Sequence, residues 1–211
     1  HTASGYWVDT ERRTTIHNLF AAGDVAGGCP QKYVTGAMVE GEIAANTMCK
    51  ELDEETDAPV NESGIDKAFD EKVNEYNRIL NNKDCVYTTE QLEEAMQTVM
   101  DSYAGGIKTN YRFNEKQLDI ADTKIRQIYQ LSEKLHAEDF QELMYIYELR
   151  ERLVVARSVI AHLKARKETR WHSFAENLDY PNKDNENFNK YVNSRLKDGE
   201  IEIILRDLVE G

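Results

Sequence analysis

Apolar residues recur every three or four positions through most of the chain after residue 63. This spacing places them on one face of an α-helix, with the charged residues on the opposite face. The pattern predicts four helices joined by short polar turns, which is the organisation of a helical bundle. The expected core stripes are Ile65, Phe69, Val73, Tyr76 and Leu80; Leu92, Ala95, Met96, Val99 and Tyr103; Leu118, Ala121, Ile125, Ile128 and Leu131; and Leu143, Ile146, Tyr147, Leu149, Leu153, Ala156 and Ile160.

Capping residues predict where these helices begin. Ser63 is expected to cap the first helix and Thr88 or Thr89 the second, while the third begins near Asn114 and the fourth near Asp139. Such side chains accept hydrogen bonds from the free amides of the first helical turn. We assign the aromatic residues of the helical region to the core, because large apolar groups at this spacing fill a bundle interior. They are Phe69, Tyr76, Tyr103, Phe140 and Tyr147.

The helical spacing of apolar residues stops at both ends of the helical region. Residues 53–63 (DEETDAPVNES) are acidic and poor in apolar side chains, so they predict a linker. Near the end of the chain, two extended segments flank Asp198-Gly199, a pair that favours the two-residue turn of a β-hairpin. The expected fold is mainly α. Its parts are a fragment of an α/β domain at 1–52, a linker at 53–63, a four-helix bundle-like domain at 64–181 and an extension with the hairpin at 182–211.

Ahead of the linker, the chain runs in the order strand, acidic turn, helix. Leu19 to Ala22 predicts a short buried strand ending at Gly23-Asp24, and a helical pattern lasts from near Thr35 to about Leu52. In open α/β sheets, ligands bind beyond the carboxyl ends of the strands, where helix N-termini present free N–H groups. Asp24 is therefore a candidate binding residue. Its carboxylate suits a neutral polyol, because hydroxyl groups donate the hydrogen bonds that it accepts.

Composition narrows the classes of function. The chain has 26 Lys and Arg residues against 39 Asp and Glu residues, a net charge of −13, which is too acidic for a general nucleic-acid binder. The pattern of a signal peptide is not recognised and no apolar segment reaches membrane-spanning length, so we expect that nothing in this sequence spans a membrane. Cys29, Cys49 and Cys85 are scattered without a CxxC pair, so we expect no metal or iron–sulfur site held by this chain alone. The same cysteine usage favours a reducing, cytoplasmic location.

Two stretches of the sequence resemble a known family. Residues 19–45 resemble the last FAD-binding segment of the succinate dehydrogenase and fumarate reductase flavoproteins, a family that includes L-aspartate oxidase and the adenylylsulfate reductase α subunit. The resemblance lies in the Gly23-Asp24 turn and in the helix with the sequence KYVTGAMVEGEIAA, which is most similar to the adenylylsulfate reductase branch. Further along, Lys167 to Trp171 (KETRW), followed by Asp179-Tyr180, resembles the Ser/Thr-Arg motif and Asp-Tyr segment that follow the family's helical domain.

The resemblance implies a flavin site. Gly23 and Asp24 would hold the ribityl chain of FAD, while Val34, Thr35 and Gly36 would lie against the flavin ring. A helix N-terminus aimed at the ring would stabilise the negative charge that a reduced flavin carries.

The resemblance also implies roles outside the flavin turn. Arg170 and Trp171 would be interface residues toward the flavin domain. The alternative for Arg170 is a cation that stabilises a helix end through the helix dipole. His1 is a candidate ligand for the substrate carboxylate, and the alternative is a terminal residue with no such role.

Parts of the family's active site are absent from the sequence. Residues 29–32 (CPQK) contain neither the Arg of the succinate and fumarate branch nor the His that the adenylylsulfate reductase branch tends to have at Gln31, so the substrate is not predicted. The glycines never take the GxGxxG spacing that cradles the FAD pyrophosphate. We therefore expect that the N-terminal FAD-binding domain and the capping domain of the family are missing from this sequence and belong to a longer protein. The isolated chain should bind FAD weakly or not at all.

Two functions remain open. The chain is either the C-terminal portion of an FAD-dependent oxidoreductase that moves electrons between a small substrate and an iron–sulfur partner, or mainly a helical docking and assembly module for an electron-carrier subunit. The first predicts that changing Asp24 in the full-length protein removes flavin. The second predicts that reversing charges on the bundle removes the partner while flavin stays.

Overall fold

The structure is a computed structural model, and it describes residues 4–28, 33–54, 61–170 and 175–208. The chain divides into a first unit, His1–Asn61, and a second unit, Glu62–Gly211. The described elements are, in order, α1 (Val34–Glu54), α2 (Glu62–Leu80), α3 (Thr89–Tyr103), β1 (Arg112–Phe113), α4 (Glu115–Ser132), α5 (Phe140–Ala165), β2 (Glu176–Asn177), α6 (Asn185–Phe188), β3 (Lys190–Lys197) and β4 (Glu200–Asp207).

Side-chain caps begin three of the long helices. Thr88 accepts a hydrogen bond from the Gln91 amide while the Gln91 side chain accepts one from the Thr88 amide, so α3 starts with a capping box. Asn114 caps α4, and Asp139 caps α5 by accepting bonds from two amides. These three predicted starts are confirmed. Ser63 is not a cap, because α2 begins one residue earlier at Glu62.

The core of the second unit lies among α3, α4 and α5, which pack against one another. Each helix contributes a stripe at a spacing of three and four, so the apolar side chains leave water together. The fully or nearly fully buried core side chains are Leu92, Met96, Val99, Leu118, Ala121, Ile125, Ile128, Leu143, Ile146, Leu149, Leu153, Ala156 and Ile160.

Helix α2 buries much less of its predicted stripe. Ile79, in its last turn, is fully buried, whereas Ile65 and Phe69 are 59% and 67% exposed. The expectation that Phe69 lies in the core is therefore wrong, and Phe140 is likewise exposed at the start of α5. Tyr103 and Tyr147 are half-buried against the core. Helical spacing puts apolar groups on one face but does not supply the element that covers that face.

The C-terminal hairpin is confirmed. Strands β3 and β4 pair antiparallel, with Lys197 opposite Glu200 at the closed end. The two turn residues, Asp198 and Gly199, both have positive φ angles of 51° and 79°, as a type I′ turn requires. The hairpin packs on α5.

A carboxylate at the start of β4 connects the hairpin to two helices. Arg126 of α4 donates two hydrogen bonds of 2.6 Å to the Glu200 carboxylate, and Arg157 of α5 donates one of 3.3 Å. Arg157 also donates to the Gly199 carbonyl at 2.9 Å. The turn of the hairpin is thereby tied to both helices.

In the first unit, the predicted buried strand at Leu19 to Ala22 is not a strand. Phe20 forms a single antiparallel bridge with Arg13, and Leu19 is exposed, while Ala21 is buried. A central strand needs partners on both edges, and the described residues pair this segment on one side only, with residues 12–14. Tyr6, from the other predicted strand, forms one parallel bridge with Ala26.

The predicted fold class is confirmed: the chain is mainly helical, with four long helices after the first unit and a terminal β-hairpin. The finer domain boundaries stay a prediction. Helix α1 ends at Glu54 and α2 begins at Glu62, so each helix enters the predicted linker by two residues.

Candidate functional site

The predicted strand end is a 3₁₀ turn, Gly23–Val25. Gly23 has φ +70°, a conformation that strains any residue with a Cβ atom. A Cβ at this position would also lie 3.1 Å from Cβ of Ala37 on α1. The backbone angle therefore favours glycine here, and a Cβ atom would in addition make a tight contact with the helix.

The chain beyond the turn is held by the segment around Tyr6. The Tyr6 amide donates to the Val25 carbonyl at 2.7 Å, and the Gly27 amide donates to the Tyr6 carbonyl at 2.8 Å. A Cβ on Gly5 would lie 2.6 Å from backbone atoms of residues 25–27, so this pairing also needs glycine. On the other side of the turn, the Ala21 amide donates to the Arg12 carbonyl at 3.1 Å.

A buried carboxylate on α1 contacts the turn directly. Glu40 is only 4% exposed, and its Oε2 accepts a hydrogen bond of 3.0 Å from the Gly23 amide. Its Oε1 lies 3.4 Å from Nη2 of Arg12. Arg12 also donates from Nη1 to the Asp9 carbonyl at 3.0 Å. Gly23, Glu40 and Arg12 thus form one polar network beneath the turn.

The predicted cofactor-binding residues lie on this turn and at the start of α1. Gly23 is buried, Asp24 is exposed, and Val34 and Thr35 are exposed in the first helical turn, with Gly36 half-buried behind them. The Gly23 and Ala37 contact brings the turn against the first turns of α1. His1 and Trp171 lie outside the described residues, as do residues 29–32, where the resemblance places the substrate signature of the family.

The sequence analysis did not predict a role for Glu40 or Arg12. The signal for Glu40 is its place on the helix: it precedes the buried Ala44 by four residues and the buried Thr47 by seven, so all three share one face. An acidic residue on a buried helical face needs donors. Arg12 carries no comparable signal, because its partner is 28 positions away on a different element.

The second predicted motif forms a buried network in the second unit. Arg170 donates from Nε and Nη2 to the Glu168 carboxylate at 2.7 and 2.9 Å, and Arg166 donates to it at 2.6 Å. The Asp184 amide donates to Glu168 at 2.8 Å. Burial alone would raise the pKa of Glu168, but these hydrogen bonds outweigh it and hold the pKa below its usual value.

The KETR motif and the Asp-Tyr segment meet in the fold. The Thr169 hydroxyl donates to the Tyr180 carbonyl at 2.9 Å and accepts from the Asn177 amide at 2.9 Å. Nearby, β1 pairs parallel with β2, and Arg112 bonds Glu176 at 2.9 Å. Arg170 therefore has partners within its own unit, and its predicted role at an interface stays a prediction.

The described parts of the chain offer little evidence for other kinds of site. An open groove of about 520 Å³ in the first unit is lined by residues 13–20 and Glu51, none of which is a predicted flavin ligand. Among the residues with a described structure, no three His, Cys, Asp or Glu side chains come together as metal ligands do. No described helix combines the length and the apolar character needed to cross a bilayer.

Comparison with known proteins connects this geometry to a family. The family model described as "Fumarate reductase flavoprotein C-term" matches residues 93–209, more than half of the chain. The adenylylsulfate reductase subunit alpha of Megalodesulfovibrio gigas is 25% identical over 197 residues, which cover 87% of this chain and 29% of that protein.

Solved structures agree with this match. The adenylylsulfate reductase of Archaeoglobus fulgidus superposes with a TM-score of 0.83 at 30% identity, covering 94% of this chain and 33% of that one. The FrdA chain of E. coli quinol fumarate reductase superposes with a TM-score of 0.81 at 20% identity, covering 99% of this chain and 36% of that one, and shows the shared fold.

The chain thus spans about a third of the length of the relatives it matches. Its match to the family model and its superposition on an adenylylsulfate reductase confirm the resemblance predicted from the Gly-Asp turn and the KETRW motif. The chain belongs to the fumarate reductase flavoprotein C-terminal family.

Proposed function

We propose that this chain is the C-terminal portion of an FAD-dependent oxidoreductase that moves electrons between a small substrate and an iron–sulfur partner. The observation that carries the proposal is the Gly23–Val25 turn, which is held against α1 and presents Asp24 at the surface. The relatives are reductases by name, and the family is one of flavoproteins. The remaining flavin contacts, including the pyrophosphate site and the capping domain, would come from other parts of the full-length protein.

The side chains present fit a flavin. Asp24 is a carboxylate that can accept hydrogen bonds from ribityl hydroxyls, and it follows a glycine that lets the backbone approach α1 closely. The first turn of α1 exposes Val34 and Thr35, and Gly36 has no side chain to keep a planar ring away. When bound, FAD would supply the electron transfer. The chain would supply an acceptor for the ribityl chain and a helix N-terminus for the negative charge of the reduced ring.

The test is Asp24→Asn in the full-length protein, with Glu42→Gln, an exposed carboxylate on α1, as the matched control. Hydrogen bonds to a charged acceptor contribute enough that their loss should weaken flavin binding about tenfold or more. Flavin content after gel filtration and the dissociation constant from flavin fluorescence measure the effect. Flavin binding by Asp24→Asn that equals the control would contradict the proposal.

Three further assignments belong to the same proposal. His1 would bind the substrate carboxylate, and Arg170 and Trp171 would lie at the interface with the flavin domain. The isolated 211-residue chain would retain flavin weakly or not at all, because its glycines lack the GxGxxG spacing. A tight, stoichiometric flavin complex of this chain alone would contradict that expectation. The cytoplasmic location stays a prediction from the cysteine usage.

The alternative is that the helical unit acts mainly as a docking module for an electron-carrier subunit. The net charge of −13 favours it, as do the exposed acidic residues Asp66, Asp70 and Glu71 of α2. In the full-length protein, reversing these three charges should then remove the partner in pull-down assays while flavin content is unchanged. If the reversed variant keeps the partner with undiminished affinity, the docking role of this surface is wrong.

A further inference from the structure

The carboxylate of Glu40 is buried, and its position on α1 does not by itself explain why a charged group lies there. A Glu side chain removed from water is costly unless hydrogen-bond donors replace the lost solvent. One donor and one opposite charge do so here: the Gly23 amide donates to the carboxylate at 3.0 Å, and the guanidinium of Arg12 forms an ion pair with it at 3.4 Å. Both belong to segments outside α1. The carboxylate therefore joins three parts of the first unit at a single point.

The contact with Gly23 fixes the direction of the turn. Gly23 lies immediately before Asp24, and its carbonyl accepts the Ala26 amide at 3.0 Å, the bond that closes the turn. Its own amide points to Glu40. With the N–H and the C=O of one residue both engaged, the peptide planes on either side of Gly23 are set. The position from which Asp24 extends toward solvent is set with them.

We infer that Glu40 is a positioning residue of the flavin site: held by Arg12, it orients the Gly23 amide and so places the Asp24 carboxylate for the ribityl chain. This inference rests on the proposed function of Asp24. Glu40 acts through the backbone of the turn, so its effect on flavin binding passes through Asp24.

A purely stabilising ion pair would also explain the burial of Glu40, and a double-mutant cycle separates the two roles. Flavin affinity is measured in the full-length protein for Glu40→Gln, Asp24→Asn and the double variant, with Glu42→Gln as control. We expect Glu40→Gln to weaken flavin binding about tenfold in the wild-type background and less than about twofold in the Asp24→Asn background. A general loss of stability would act equally in both backgrounds.

A second measurement follows the turn itself without flavin. Hydrogen exchange of the apoprotein, read on peptides that cover residues 19–28, should be faster in Glu40→Gln, because the Gly23 amide loses a charged acceptor. Exchange in Glu42→Gln should match wild type. If Glu40→Gln yields no folded protein, Arg12→Gln breaks the same network from the other partner and should give the same flavin and exchange results.

The outcomes distinguish this inference from the proposed function. Weaker flavin binding in Asp24→Asn with unchanged binding in Glu40→Gln would overturn the inference and leave the proposed function standing. An effect of Glu40→Gln that persists undiminished in the Asp24→Asn background would also overturn it. Unchanged flavin binding in Asp24→Asn would overturn the proposed function, and this inference with it.

Discussion

Helices α2 and α4 belong to the same unit and carry apolar residues at the same spacing, yet the apolar face of α4 is buried and most of that of α2 is exposed. In α4, Leu118 and Ile125 are completely buried between α3 and α5. In α2, Ile65 and Phe69 remain exposed, and only Ile79 in the last turn is buried. The difference shows that an amphipathic helix obtains its stability from the elements that cover its apolar face, and that this cover can be confined to one end.

Several contacts tie the C-terminal half of α2 to the rest of the second unit. Glu75 accepts a hydrogen bond of 3.0 Å from Arg150 of α5, and the Tyr76 ring meets the Tyr147 ring edge-on at 5.5 Å. Arg78 donates to the Glu133 carbonyl, and the Ile79 carbonyl accepts from the Ala137 amide. The helix is therefore anchored at its C-terminal end, whereas the apolar side chains near its beginning, Ile65 and Phe69, are exposed.

The largest expected effect is in α4. Leu118→Ala should lower the free energy of unfolding by about 2–5 kcal/mol, because a fully buried leucine leaves a cavity that close-packed neighbours cannot fill. Chemical denaturation of the 211-residue chain followed by circular dichroism measures the change. Lys124→Ala, at an exposed position of the same helix, is the control. A loss below about 1 kcal/mol for Leu118→Ala would mean that α4 is not the central helix of the core.

An intermediate effect is expected where α2 meets α5. Burial alone would raise the pKa of Glu75, but the hydrogen bond from Lys72 and the positive charge of Arg150 outweigh it, so the pKa is lowered. A carboxyl group with a lowered pKa stabilises the folded state above its ordinary pKa, and the stabilisation is lost as the pH falls through the folded value.

Docking of α2 should accordingly weaken below about pH 4.5, by roughly 1 kcal/mol for this partly exposed group. Hydrogen exchange of α2 amides as a function of pH reports the docking. The α2 amides of Glu75→Gln should be less protected than those of wild type at pH 7. Their protection factors, corrected for the intrinsic pH dependence of exchange, should change less between about pH 7 and about pH 3. Equal pH dependence in the two proteins would exclude Glu75 as the group responsible.

The features that local sequence predicts are those whose bonds are local. Asp139 caps α5 by bonding amides two and three residues away, and Asp198-Gly199 closes a hairpin with its own two residues, so both were predicted from short motifs. Residues far apart in sequence gave no such signal. Arg112 and Glu176 are 64 positions apart, and they join the two-residue strands β1 and β2, which are too short for any periodicity.

The same reasoning applies to the candidate site. Gly23 and Asp24 were predicted because a glycine and a carboxylate at the end of an apolar run form a short, recognisable turn. Glu40 and Arg12 were not predicted, because what makes them important is their mutual contact across 28 positions. The strand predicted at Leu19 to Ala22 was wrong for a related reason: an apolar run shows a preference for burial but does not show which strands pair with it.

The smallest effect is expected in the exposed part of α2. Phe69→Ala should change the free energy of unfolding of this chain by no more than about 0.5 kcal/mol, because the side chain is 67% exposed and alanine is the better helix former. The measurement is the same denaturation used for Leu118→Ala, repeated at several protein concentrations. A loss above about 1.5 kcal/mol that grows with concentration would show that a second copy covers the stripe. A loss of that size without concentration dependence would show that the chain itself does, and the contrast between α2 and α4 would then be wrong.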